Sequence, residues 1–207
     1  MTENELMTLL RTVTPPDESA RAAAHAHWAA LAKPLGGLGT LETMIEDAAA
    51  LTGNAAPAFE RRAVLVLCAD NGVVAQGVSQ TDAAVTRAVL ENLVACRTSV
   101  CRMAAAAQCA VVPVDMGIAG APVVGAADYR IAPGTRDFTA GPAMTRAQAV
   151  QAIAAGLALV RAQKRAGVQL LVALVRNLPT IISTMPSRYF FPFFSYLFLF
   201  TQYKKHC

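Results

Sequence analysis

Two acid-bearing turns hold the side chains best placed for chemistry, Asp70-Asn71-Gly72 and Asp115-Met116-Gly117. Each closes a short, continuous apolar run, Ala63-Val-Leu-Val-Leu-Cys68 and Cys109-Ala-Val-Val-Pro-Val114. A carboxylate in such a place can accept a proton or orient a hydrogen-bond donor. The runs are too short for core helices and rich enough in Val to be strands buried on both faces. In a parallel sheet both turns would sit at the carboxyl ends of the strands, where open α/β folds collect ligands. An acid followed by glycine also simply closes a turn, and the residues alone leave both readings open.

Other constellations offer less. His25 and His27 stand two apart in a helical stretch, so they point to different faces and do not suit one shared metal ion. Cys68, Cys96, Cys101, Cys109 and Cys207 form neither a CxxC pair nor a Cys/His cluster. Four of them lie in Ala/Val-rich surroundings that suit buried free thiols, and a reducing cytoplasm is the expected setting. The first eleven residues lack the basic start and apolar run of a signal peptide. There is no dinucleotide fingerprint, no Walker-type phosphate loop and no Gly-x-Ser-x-Gly elbow. The Gly-rich stretch Lys33 to Gly39 reads as a turn between helices rather than a cofactor cradle.

The elements that must position the acids follow from local pattern. Helices are expected over 17–31 and 41–51, the latter with Glu42, Glu46 and Asp47 exposed, and over 83–107 as one unit. Thr145 is a good N-cap for a helix over 146–166, Gly167 a C-terminal stop, and Val168 to Ala173 a third strand. Pro113 places the second strand near an edge or an irregular end. Alternation of strand and helix with short joints predicts a Rossmann-like α/β fold, a parallel sheet with flanking helices, preceded by an N-terminal helical segment.

The composition breaks near Leu174. From Val175 to Cys207 there is no Gly, no Ala and no acid, yet this stretch holds six of the eight Phe, three of the four Tyr and the whole formal charge of +4. Two segments are therefore expected, an α/β domain over 1–174 and an unrelated aromatic and basic tail over 175–207, disordered or poorly packed. The neutral body has no basic run interleaved with aromatics, so nucleic acid is not an expected partner. Tyr189 to Phe200 spans 12 residues, short of the roughly 20 needed to cross a bilayer. Aggregation-prone surface is the favoured reading of the tail over interfacial membrane contact.

An ordered motif series carries a family resemblance. Lys33-Pro-Leu-Gly-Gly-Leu-Gly-Thr-Leu-Glu42, Cys68-Ala-Asp-Asn-Gly-Val-Val74 with Gly77-Val-Ser79 and Val85-Thr86, Val114-Asp-Met-Gly117, Gly134-Thr-Arg-Asp-Phe138 and Gly141-Pro-Ala-Met-Thr145 resemble the nicotinate-nucleotide:dimethylbenzimidazole phosphoribosyltransferase family. The likeness runs over about residues 20–172 and corresponds to the N-terminal half of that enzyme. It implies cobalamin biosynthesis, with nicotinate mononucleotide and dimethylbenzimidazole as small-molecule substrates, α-ribazole phosphate as product, no metal or cofactor, and usually a homodimer.

Carried over by position, the resemblance implies substrate-binding roles for Asp70, Asn71, Gly72, Thr81 and Val89. Asn71 stands where relatives usually have His. Thr81 falls near a pocket Ser, and Val89 near a Gln that it cannot replace as a hydrogen-bond partner. After Ala173 the family's Gly-Glu-Met-Gly-Ile-Gly-Asn-Thr loop is absent, and so is its late catalytic Glu, since Asp137 is the last acid in the chain. The expectation is a partial copy with its C-terminal part replaced by unrelated coding sequence. It would be inactive in this form, or a catalytically silent binding or dimerisation module.

Overall fold

A computed structural model describes residues 2–176. Three helices come first, α1 (Glu3–Arg11), α2 (Glu18–Ala30) and α3 (Thr40–Thr52). They are followed by β1 (Arg62–Ala69), a 3-10 turn (Gly72–Gln76), α4 (Ala83–Val94), α5 (Ser99–Ala106), β2 (Cys109–Gly117), β3 (Ala127–Asp128), α6 (Arg146–Arg165) and β4 (Leu170–Arg176). The four strands form one parallel sheet in the order β3-β2-β1-β4. The chain is an α/β protein with a parallel sheet and flanking helices, as its alternating pattern predicts.

β1 is central, and its side chains alternate between two apolar layers. Val64, Val66 and Cys68 pack with Leu90 and Leu93 of α4, Cys101 of α5, and Ile118 and Val123 of the loop after β2. Ala63 and Leu65 face the other way, toward Val114, Leu159 of α6 and Leu171 of β4. A strand covered on both faces cannot afford polar residues, which is why β1 reads as an unbroken apolar run. Pro113 pairs in register with Val66. β3 reaches β2 only at Val114 and Asp115, so among the described residues Pro113 lies where β2 has one strand neighbour, a setting in which a residue without an N–H is tolerated.

Thr145 caps α6 through a reciprocal capping box. Its hydroxyl accepts from the Gln148 N–H at 3.2 Å, and its own N–H donates to the Gln148 side chain at 2.8 Å. Gly167, at φ +81°, then turns the chain into β4.

Three expectations need correction. The helix expected over 83–107 is two helices, because the chain turns at Cys96, which adopts a left-handed φ of +55°, and Thr98 caps a new helix by accepting from the Cys101 N–H. Cys96 is exposed, unlike the buried Cys68 and Cys101. Glu42 is buried rather than exposed, for reasons given below. In addition, α1 was not foreseen; Thr2 caps it by accepting from the Glu5 N–H at 3.2 Å.

β4 continues through Leu174 to Arg176, so the compositional break falls inside a strand. The expectations for the aromatic tail lie outside the described residues. No helix among the described residues is long and apolar enough to cross a membrane.

Candidate functional site

The chain leaves β1 for β2 and β3 on one side and returns to β4 on the other. The strand order therefore reverses between β1 and β4, and in open α/β sheets ligands bind outside the carboxyl ends of the strands at such a switch. Asp70-Asn71-Gly72 stands at this point directly after β1. Asp115 and Gly117 end β2 on the neighbouring side, with Met116 as an extra residue in the ladder, since Cys68 pairs with Asp115 and Ala69 with Gly117.

Both carboxylates are buried, Asp70 at 6% exposure and Asp115 at 1%. Asp115 Oδ1 accepts from the N–H groups of Gly117 and Ile118, each at 2.9 Å, while Oδ2 lies 3.7 Å from the Arg130 Nε. Asp70 Oδ2 accepts from the Ala119 N–H at 2.8 Å. Its Oδ1 is buried with no hydrogen-bond partner among the described residues. The same loop is held by its carbonyls: Arg130 donates to Ile118 and Gly120 at 2.6 and 2.7 Å, and Arg87 of α4 donates to Ala121 at 2.7 Å. Segment 117–121 is thus gripped by two acids through its N–H groups and by two arginines through its C=O groups. Charge-assisted bonds of this kind are the stronger class.

A second loop crosses over the first turn. Thr135 donates its N–H to the Asp70 carbonyl at 3.0 Å, and the Gly72 N–H donates to the Thr135 hydroxyl at 3.3 Å. A Cβ on Gly72 would lie 2.5 Å from the backbone of Arg136 and Asp137, so only glycine lets these two strands of chain pass. Asp137 is tied in turn to Gln76 at 2.6 Å and to Thr139. The Thr139 N–H, followed by Gln76, holds the Asp137 carboxyl below the usual range.

The structure thus joins three motifs that are far apart in sequence, Asp70 to Gly72, Asp115 to Gly117 and Gly134 to Phe138. Asn71 is half-buried beside them. Thr81 is exposed in the loop before α4, its N–H donating to the Ser79 hydroxyl at 3.3 Å. Val89 is partly buried and packs against the core under α4. Arg87 and Arg130 were missed by sequence reasoning, because a single arginine, in a helix as Arg87 is or in a loop-rich stretch as Arg130 is, carries no local signal of what it binds. No group of His, Cys, Asp and Glu among the described residues is arranged to hold a metal ion.

A family model described as phosphoribosyltransferase (DBI_PRT) matches residues 13–173, which takes in every element of this site. The chain belongs to that phosphoribosyltransferase family. Among its relatives, the nicotinate-nucleotide–dimethylbenzimidazole phosphoribosyltransferases of Salmonella agona and Salmonella typhi are each 41% identical over 145 residues, covering 70% of this chain and 41% of the relative. Two crystal structures from Thermus thermophilus show the same fold. One, of CobT, has a TM-score of 0.71 at 36% identity, covering 76% of this chain and 48% of its own. The other, of nicotinate-nucleotide-dimethylbenzimidazole phosphoribosyltransferase, has 0.72 at 37%, covering 77% and 49%. The chain spans less than half the length of the curated relatives it matches.

The family's first motif lies apart from the sheet end, in the α2–α3 hairpin. Lys33 and Glu42 pair at 2.9 Å, and the Leu38 N–H donates to the same Glu42 oxygen at 2.9 Å. This explains the burial of Glu42, whose carboxyl is held below its usual range first by Lys33 and then by the Leu38 N–H. The Lys33 ammonium also lies 5.6 Å from the centroid of the Trp28 ring. His25 Nδ1 lies 2.9 Å from Glu46. An open cleft of about 400 Å³ runs between Trp28, Leu35 and Thr43.

Proposed function

We propose that this chain carries the first-half framework of nicotinate-nucleotide:dimethylbenzimidazole phosphoribosyl transfer, and that in this form it does not turn over substrate. The observation that carries the reading is the switch point at Asp70-Asn71-Gly72, in a chain that belongs to the phosphoribosyltransferase family. The reaction breaks the glycosidic C–N bond of nicotinate mononucleotide and releases nicotinate. It joins the anomeric carbon to an azole nitrogen of dimethylbenzimidazole, whose N–H proton must pass to a base. Catalysis then rests on positioning, on stabilising an oxocarbenium-like sugar and on one carboxylate.

Asp70, Asn71, Gly72, Thr81 and Val89 are the proposed substrate-binding set. Within it Thr81 offers an exposed hydroxyl and Val89 an apolar backing. Each buried acid has one oxygen without a hydrogen-bond partner among the described residues, Asp70 Oδ1 and Asp115 Oδ2, but the Asp115 oxygen faces the Arg130 Nε at 3.7 Å, whereas Asp70 has no ion pair among the described residues. Asp70 is therefore the better base if one lies in this half. Both carboxylates are closed in by loops, however, and Asp137 is the last acid in the sequence. That supports a binding module rather than a working transferase. The free thiols of Cys68, Cys96, Cys101 and Cys109 support a reducing compartment such as the cytoplasm.

The test is an end-point assay of the 207-residue chain with both substrates, following nicotinate by chromatography. The expected result is no release above a blank without enzyme from a folded sample. Turnover abolished by Asp70→Asn would overturn the inactive reading and assign the base.

A further inference from the structure

Arg87, Arg130 and Arg136 stand near the carboxyl end of the sheet and are used differently. Arg130 donates to the carbonyls of Ile118 and Gly120 beside Asp115, and Arg87 donates to the Ala121 carbonyl and pairs with Glu91 at 3.2 Å. Arg136 is exposed, and its side chain has neither a hydrogen bond nor an ion pair among the described residues. The acid next to it in sequence, Asp137, is engaged elsewhere, since its carboxylate accepts from Gln76 and Thr139. Asp70 and Asp115 are buried.

The backbone that carries Arg136 is nevertheless held on both sides. Its N–H donates to the Ala143 carbonyl at 2.8 Å, the Thr135 N–H donates to the Asp70 carbonyl at 3.0 Å, and the Asp137 side chain ties the following residue to Gln76. The Arg136 carbonyl carbon would lie 2.5 Å from a Cβ on Gly72, so the loop crosses directly over the turn that ends β1. A guanidinium with no partner inside the fold is thus carried on a fixed backbone at the point where the strand order reverses, which is where open α/β sheets bind ligands. Its planar fork of donors matches carboxylate and phosphate oxygens. Phe138, 58% exposed two residues further on, adds an aromatic surface to the same loop.

Of the two proposed substrates, only nicotinate mononucleotide offers groups of that kind, a carboxylate on its pyridine ring and a phosphate on its ribose. We propose that Arg136 is a substrate-recognition residue that pairs with one anionic group of the mononucleotide, carboxylate or phosphate, at the end of β1. The inference rests on the proposed function and extends its binding set by one residue. The pair forms on binding, so its detection does not require turnover.

The experiment is calorimetric titration of the 207-residue chain at low salt with nicotinate mononucleotide and with two analogues that each lack one anion. These are nicotinamide mononucleotide, without the carboxylate, and nicotinate riboside, without the phosphate. Arg136→Gln should weaken the mononucleotide about tenfold, through loss of a charge-assisted pair. Arg136→Lys should weaken it less, and Arg102→Gln, at an exposed position on α5, should leave it unchanged. Far-ultraviolet circular dichroism should be the same for every variant. For the analogue that lacks the recognised group, the wild type and Arg136→Gln should bind alike, which separates carboxylate from phosphate. Wild-type affinity in Arg136→Gln would overturn the inference and leave the proposed function standing, as would an equal loss in Arg102→Gln or an equal loss toward all three ligands. A wild type that does not bind the mononucleotide would overturn the inference and the proposed substrate binding together.

Discussion

The sheet end and the α2–α3 hairpin use charged residues in opposite ways. At the sheet end, Asp70 and Asp115 are committed to backbone N–H groups, and Arg87 and Arg130 to backbone carbonyls. The result is a buried, closed lattice in which loops are held to strands. In the hairpin the charges pair mainly side chain to side chain, Lys33 with Glu42 and His25 with Glu46, around an open cleft, and the Leu38 N–H to Glu42 is the one backbone contact among these pairs. Acids that bind backbone fix the path of the chain, whereas acids that bind other side chains fix only the relation of two helices. The first arrangement should tolerate substitution poorly and the second well.

The largest loss of stability is expected from substitutions at the glycines of the sheet end. Gly72→Ala would push a methyl group into the backbone of Arg136 and Asp137, and Gly117→Ala would drive one onto the Ala132 carbonyl from a φ of +146°. Each should cost about 3 kcal/mol in urea denaturation, from overpacking at both positions and, at Gly117, backbone strain as well. A loss below about 1 kcal/mol would mean that the crossing loop yields easily and the lattice is not rigid.

Asp115→Ala comes next. It strands the Gly117 and Ile118 N–H groups and leaves Arg130 without its acid, for an expected loss of about 2–3 kcal/mol. Hydrogen exchange at Gly117 and Ile118 should rise by more than at residues of β4.

Val89→Gln tests which role dominates under α4. Because Val89 packs against the core, the amide should cost about 1 kcal/mol. Unchanged stability with new affinity for dimethylbenzimidazole, read by calorimetry, would make this position pocket rather than core.

The smallest effect belongs to the hairpin. The Glu42 carboxyl is held below its ordinary value of 4.5. The stability it adds is therefore present above pH 4.5 and is lost as pH falls through its lower value in the folded chain. The thermal midpoints of the wild type and Glu42→Gln should differ slightly near neutrality and converge in acid, with Trp28, the only tryptophan, as the fluorescent probe. A gap that widens below pH 4.5 would contradict the pairing with Lys33.

Much of the framework was legible in sequence because its causes are local. The valine-rich runs of β1 and β2, the Thr145 box and Gly167 announce themselves within a few residues, through periodicity and capping chemistry. The break at Cys96 is local too, yet no Gly or Pro marks it, and the apolar spacing runs on across it. The acid–glycine turns could be found as features but not assigned, since a carboxylate that holds a loop and one that meets a ligand look alike in sequence.

By itself, then, the sequence determined the parallel α/β architecture, the positions of its strands and helix caps, and the family, through an ordered series of short motifs. Only the tertiary structure decided that Gly72 is glycine because Arg136 crosses over it, that Arg87 and Arg130 hold segment 117–121, and that Glu42 is buried on Lys33. The physical reason is separation along the chain. Dihedral preference and amphipathic period act over one or two turns of backbone, while the burial and pairing of a charge depend on groups brought together from distant segments once the sheet has formed.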